Sequence, residues 1–143
     1  MSAACSRVVA IVALLSLSGG VLAELVIKDG WVRATPPNSR TSAAYFTLIN
    51  QGDEALVITR ASASTAGAAE LHNWVERDDG MKRMVRMREV PVAPGEAILF
   101  EPGGKHMMMF RLDPVPALGD IVTLCVGTET GVEACTEAPV RQP

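Results

Sequence analysis

The chain is interrupted at short, regular intervals by proline, glycine, asparagine and aspartate, and between the interruptions its apolar residues favour alternate positions. Nine runs carry the pattern: residues 24–34, 42–50, 55–63, 69–76, 81–90, 96–101, 106–112, 120–127 and 131–140. Period-2 alternation places one face of each run toward a core, and no stretch of useful length shows a helical period. Regularly spaced short strands without helices predict an all-β protein, a Greek-key β-sandwich or barrel. Aromatic residues are few, so the core must rest on Val, Ile, Leu and Ala, with Trp31, Tyr45, Phe46 and Phe110 as larger anchors.

Residues 1–23 read differently from the rest. Arg7 supplies a positive n-region, Val8 to Leu17 an apolar h-region, and Val21-Leu22-Ala23 a small-x-small cleavage box, the pattern of a secretory signal cleaved after Ala23. The apolar run is too short to span a bilayer. Cys5 precedes the h-region, where it cannot serve as a lipid-attachment residue at the cleavage site. Residues 24–143 are then expected to form a single exported domain, with no stable membrane insertion after cleavage. Setting Arg7 aside leaves twelve basic against sixteen acidic residues, a net charge near −4. A mildly acidic domain without a basic cluster argues against nucleic acid as a partner. Lys82, Arg83 and Arg86 do gather on one run, which suits either a solvated hairpin face or a docking patch for an acidic partner.

Cys125 and Cys135 flank the turn-forming stretch Gly-Thr-Glu-Thr-Gly (127–131), so they should face each other across a terminal hairpin. An oxidising compartment would let them form a disulfide. The competing role, a copper thiolate as in blue electron-transfer sites, lacks the histidine that should follow the cysteine.

The chain's only two histidines lie close to methionines. His106 and Met108 are two apart in a β-run and therefore share a strand face, while Met107 and Met109 point the other way, toward the core. His72 and Met84 lie on runs joined by Glu76-Arg77-Asp78-Asp79-Gly80, whose Asp-Gly step is a hairpin signal. Trp74 should share the face of His72, either walling a site or packing on the sheet surface. Neutral imidazole and neutral thioether form a soft donor set that favours copper(I) over zinc or hard cations. Pro102, Gly103 and Gly104 form the turn that delivers His106 and Met108, and Pro36-Pro37 suits a corner where no backbone N–H is missed.

These stretches resemble the PCuAC family of periplasmic copper chaperones. Residues 29–54 are similar to the family's opening strand, Pro-Pro corner and second strand; Glu70-Leu71-His72-Asn73-Trp74 to its first ligand strand; and residues 92–110 to its segment leading into the second. The resemblance implies a cupredoxin-like fold and a copper(I) site made by His72, Met84, His106 and Met108. The twenty-one residues between Met84 and His106 match the family's spacing. Eleven residues separate His72 from Met84 where the family usually has ten, so Met81 and Met87 are alternatives to Met84. The extra residue is expected in the 76–80 turn as a longer loop or G1-type bulge. By resemblance the copper would pass to a cuproprotein acceptor, the dinuclear centre of cytochrome c oxidase, directly or with Sco-like thiol proteins.

Nothing in the sequence resembles catalytic machinery: both histidines are assigned, and neither a Gly-rich phosphate loop nor a carboxylate-rich metal motif is present. A periplasmic metallochaperone is the expected function. The other readings are an exported β-sandwich interaction module with an incidental Met/His cluster, a copper storage or resistance protein, and an electron-transfer cupredoxin.

Overall fold

A computed structural model describes residues 24–143; the expected signal and its cleavage after Ala23 lie outside these residues. Ten strands make up the fold: β1 (Leu25–Arg33), β2 (Thr41–Asn50), β3 (Leu56–Ala63), β4 (Ala66–Glu76), β5 (Lys82–Arg86), β6 (Val90–Val92), β7 (Ala97–Phe100), β8 (His106–Leu112), β9 (Ile121–Thr128) and β10 (Glu133–Arg141). Their order is β5-β4-β8-β2-β1-β10-β9-β3-β6, with β7 also paired to β2. All pairings are antiparallel except β1 with β10, the parallel seam that joins the two halves of the sandwich. This is the Greek-key, cupredoxin-like architecture that the strand pattern and the family resemblance imply. Among the described residues no helix is long and apolar enough to cross a membrane.

One continuous core fills the space between the layers. Phe46 stacks on Phe100 with ring centroids 4.5 Å apart, surrounded by Leu48, Ile58, Met107, Met109, Leu124 and Val126. Phe100, not Phe110, is therefore the aromatic anchor at this centre; Phe110 is half-buried on the opposite face of its sheet. Run 81–90 divides into β5 and β6, because the chain leaves β4 after Arg86 and crosses to pair with β3. The Met87 N–H is satisfied by the Leu71 carbonyl at 2.8 Å as it crosses.

Two irregularities aim side chains at what becomes the functional face. In β1, Leu25 and Ile27 face the core, but the register with β2 shifts by one residue between Lys28 and Trp31, and thereafter Val32 faces the core. The extra residue is accommodated at Asp29, whose φ is +54°, and at Gly30, where a Cβ would meet the Thr136 methyl at 2.8 Å. The bulge reverses the parity of the strand, so Trp31 and Arg33 lie on the outer face beside Tyr45 instead of entering the core. Trp31 packs against Tyr45 with ring centroids 4.6 Å apart, tilted by 37°, and the Arg141 guanidinium lies over the Trp31 ring, 4.5 Å from its centroid.

The second irregularity is the corner between β7 and β8. Both pair with β2, β7 with residues 46–49 and β8 with residues 41–44, so they lie end to end along one edge of that strand. Residues 101–105 between them form a tight turn in which Gly103 has φ +83° and Gly104 N–H donates to Glu101 at 3.0 Å. The Pro36-Pro37 corner likewise makes a turn between β1 and β2, closed by Ser39 N–H to the Pro36 carbonyl at 2.9 Å.

Cys125 and Cys135 occupy directly opposed positions on β9 and β10 and are joined by a disulfide. Glu133 lies close enough to both sulfurs to suggest a ligand cluster, but the disulfide leaves no thiolate there.

Candidate metal centre

Strands β5, β4, β8 and β2 present a common outer face. On β8 the alternation is strict: Met107 and Met109 are fully buried in the core, while His106 and Met108 point outward. Register places His106 opposite His72 and Met108 opposite Glu70 on β4, with Ala43 on the other side of Met108. The two imidazoles are 5.9 Å apart between centroids.

Met84 reaches this face through the hairpin geometry. Gly80 N–H donates to the Arg77 carbonyl at 2.9 Å, Arg77 N–H donates to the Met81 carbonyl at 2.8 Å, and Gly80 has φ +78°. That combination is a three-residue loop, a type I turn closed by a left-handed glycine. It sets the register Trp74 to Met84 and His72 to Arg86. Met84 therefore lies on the outer face, where its Sδ stands 3.2 Å from His106 Nε2. Met81 sits in the turn, 60% exposed, and Met87 packs against the core on the opposite side. Of the three methionines on this hairpin, only Met84 is brought to His106.

An open pocket of about 380 Å³ covers the cluster, walled by Met84, His106, Met108 and Trp74 on one side and by Ala43, Tyr45, Arg33 and Gly103 on the other. Trp74 both lines the pocket and remains 41% exposed, its ring 6.4 Å from that of His106. Tyr45 is buried, and burial raises its phenol above the usual value despite the opposing influence of Arg33, whose guanidinium lies 5.6 Å from the ring centre. The wall is thus a neutral phenol with a cation behind it.

Hydrogen bonds fix which nitrogen each histidine offers. His106 Nδ1 is 2.9 Å from the Gly104 carbonyl, which can only accept, so Nδ1 carries a proton and, in the neutral imidazole, Nε2 is a bare lone pair facing Met84 sulfur. Two lone-pair donors held 3.2 Å apart repel slightly unless something electrophilic lies between them. A metal with bonds of roughly 2.0 Å to nitrogen and 2.3 Å to sulfur holds those atoms about 3.5 Å apart at a tetrahedral angle. The pair fits such an ion with a few tenths of an ångström of movement. His72 is placed differently from the other three. It stands beside the pocket rather than in its wall, is only 8% exposed, and contacts Glu70 Oε2 through Nε2 at 3.0 Å.

The structure therefore gathers Met84, His106 and Met108 around one opening and keeps His72 adjacent. Arg33, Tyr45 and Glu70 are further members of this face that the motif reading did not single out. Glu70 was within reach of the alternation rule, being two residues before His72 on one strand. Arg33 was not, because ordinary alternation across residues 29–33 puts it on the core side.

Residues 25–140 match the family model described as "Putative lipoprotein LpqE-like". Among curated proteins, "Putative lipoprotein Lxx21020" of Leifsonia xyli subsp. xyli is 22% identical over 115 residues, covering 80% of this chain and 68% of its own length. "Uncharacterized protein RP573" of Rickettsia prowazekii is 31% identical over 70 residues, covering 48% of this chain and 38% of its own. Among solved structures, the copper-bound PCuAC domain from PmoF2 superposes with a TM-score of 0.68 at 16% identity, over 86% of this chain and 97% of that one. Apo-DR1885 from Deinococcus radiodurans gives 0.63 at 22% identity, over 100% of this chain and 95% of that one, and its copper(I) form gives 0.59 at 24%, over 81% and 78%. At these identities the likeness establishes a shared fold.

Proposed function

This chain belongs to the LpqE-like family and has the fold of PCuAC domains, and from that premise we propose that it is an exported copper(I) carrier whose ligands are His72, Met84, His106 and Met108. The observation that supports this reading most directly is the bare Nε2 of His106 standing 3.2 Å from Met84 sulfur at the mouth of an open pocket. A core histidine ordinarily has both nitrogens satisfied by donors or acceptors, and a core methionine is not 38% exposed beside it. Neutral thioethers and imidazoles leave the ion's charge uncompensated, so copper(I) should be held more weakly than at a thiolate site and pass downhill to a cysteine-containing acceptor. The exposed pocket mouth suits such a transfer, since an acceptor ligand can approach without unfolding of the domain.

The compartment in this reading is the periplasm, after cleavage behind Ala23. Copper-bound and copper(I) forms among the structural relatives support copper as the cargo, and a family and a relative named as putative lipoproteins support a carrier outside the cytoplasm. The proposed acceptor is a cuproprotein, by family resemblance the dinuclear centre of cytochrome c oxidase with or without Sco-like thiol proteins. Anaerobic copper(I) competition should show one ion per chain. Met84→Leu should weaken binding at least tenfold, and Met81→Leu should leave it unchanged. The loaded protein should then transfer its copper to an isolated dinuclear-copper domain, and His106→Ala should abolish the transfer. Retention of copper in the presence of excess acceptor would favour storage instead, and no binding at all would favour an interaction module.

A further inference from the structure

We propose that Glu70, held in place by Arg86, is the positioning residue that makes His72 present Nδ1, and not Nε2, to the metal; this rests on the carrier reading above. Glu70 spans two partners. Its Oε2 is 3.0 Å from His72 Nε2, and its Oε1 is 2.9 Å from the Arg86 guanidinium. A carboxylate engaged by arginine accepts hydrogen bonds, so His72 Nε2 is the protonated nitrogen and donates to it.

In the neutral imidazole, the form that can bind a metal, the other nitrogen is then a lone pair. His72 Nδ1 is buried and has no hydrogen-bond partner, in a residue only 8% exposed. An orphaned acceptor at such a position is uncommon and calls for a physical reason. The neighbours supply one: His106 lies directly opposite on β8, with Met84 and Met108 on the same face. Metal-bound histidines characteristically donate their second ring N–H to a carboxylate or a backbone carbonyl, which fixes the tautomer and raises the basicity of the ligating nitrogen. The two histidines follow that rule in opposite senses. His106 is held at Nδ1 by the Gly104 carbonyl and offers Nε2; His72 is held at Nε2 by Glu70 and offers Nδ1.

The cross-strand geometry explains the asymmetry. His106 follows the 101–105 turn, whose carbonyl comes within reach of Nδ1 two residues back. His72 lies in the middle of β4, where backbone carbonyls are taken by the neighbouring strands, and the acceptor has to be a side chain on the same face, two residues away. Arg86, directly opposite His72 on β5, keeps that side chain from turning to solvent.

Long-range proton–nitrogen correlation spectra of the imidazoles test this without relying on copper transfer. In the metal-free wild type, His72 should be the Nε2–H tautomer and His106 the Nδ1–H tautomer. Glu70→Leu should turn His72 into a mixture, whereas Glu70→Gln, which keeps an acceptor oxygen, should preserve its tautomer. On anaerobic titration with copper(I), the resonances of His72 Nδ1 and His106 Nε2 should move. Glu70→Leu should weaken copper(I) binding about 10–100-fold, with a smaller loss in Glu70→Gln. A Nδ1–H tautomer of His72 in the wild type, an unaltered tautomer in Glu70→Leu, or a copper-induced shift larger at His72 Nε2 than at Nδ1 overturns the assignment while leaving the carrier reading in place. Silence at both imidazoles overturns the two together.

Discussion

Adjacent methionines in the run 107–109 are chemically identical and do different things, because one residue's step along a strand exchanges core for surface. Met107 has no exposure and is enclosed by the apolar core, so Met107→Ala should cost about 2–5 kcal/mol in denaturant unfolding and leave a folded site with near-normal copper affinity. Met108→Ala should do the reverse, with a much smaller stability loss and a clear fall in copper(I) affinity. Equal effects of the two on stability would contradict the face assignment. Tyr45, the chain's single tyrosine, reports the pocket wall independently. Burial raises its phenol above 10.0, so the folded state holds the proton more tightly than the unfolded chain does. Its contribution to stability is complete below pH 10 and is lost as the pH rises through the folded value. Absorbance titration of tyrosinate should give a midpoint above 10.0, and one at or below it would show the phenol to be solvated. This alternation of faces was legible in the sequence, as were His106 and Met108. The membership of Arg33 was not, since it depends on the β1 bulge at residues 28–31, and that of Tyr45 was not, since it adjoins Phe46 in a run where both aromatics read as core anchors.

At the level of elements, the β4–β5 hairpin decides which methionine is the proposed third ligand. The spacing left three methionines open, because an extra residue in a hairpin either slips the register or is absorbed in the loop. Absorption is what the 77–81 hydrogen bonds describe, with Gly80 in the left-handed region as the added residue of a three-residue loop. A two-residue Asp-Gly loop preserves the same flanking pair. Deleting Asp79 should therefore keep Met84 opposite Trp74, with copper(I) affinity within about threefold of wild type. A collapse in affinity would mean that the loop length sets the register of β5. The division of run 81–90 into β5 and β6 was hidden for a related reason: its alternation continues across the point where the chain changes layers, and only the partner strands distinguish the two halves.

Over the whole molecule, the site and the covalent brace sit on different strands. The proposed copper face is built mainly on β2, β4, β5 and β8, whereas the disulfide ties β9 to β10. Replacing both cysteines by alanine should lower stability by about 2–3 kcal/mol for a loop of this size, with copper(I) affinity unchanged. A parallel loss of copper would instead tie the sulfurs to the metal. The overall architecture was legible because nine short β-runs with turn punctuation admit few alternatives; the parallel β1–β10 seam that closes it depends on contacts between the two ends of the described chain, which local pattern does not encode. The central claim is a mixed sulfur and nitrogen copper(I) site at His72, Met84, His106 and Met108. Copper K-edge absorption of the anaerobically loaded protein tests it most directly. The account predicts a first shell containing both sulfur and imidazole nitrogen, with part of the sulfur lost in Met84→Leu and in Met108→Leu. A shell of nitrogen and oxygen alone, or one unchanged in both variants, would contradict it.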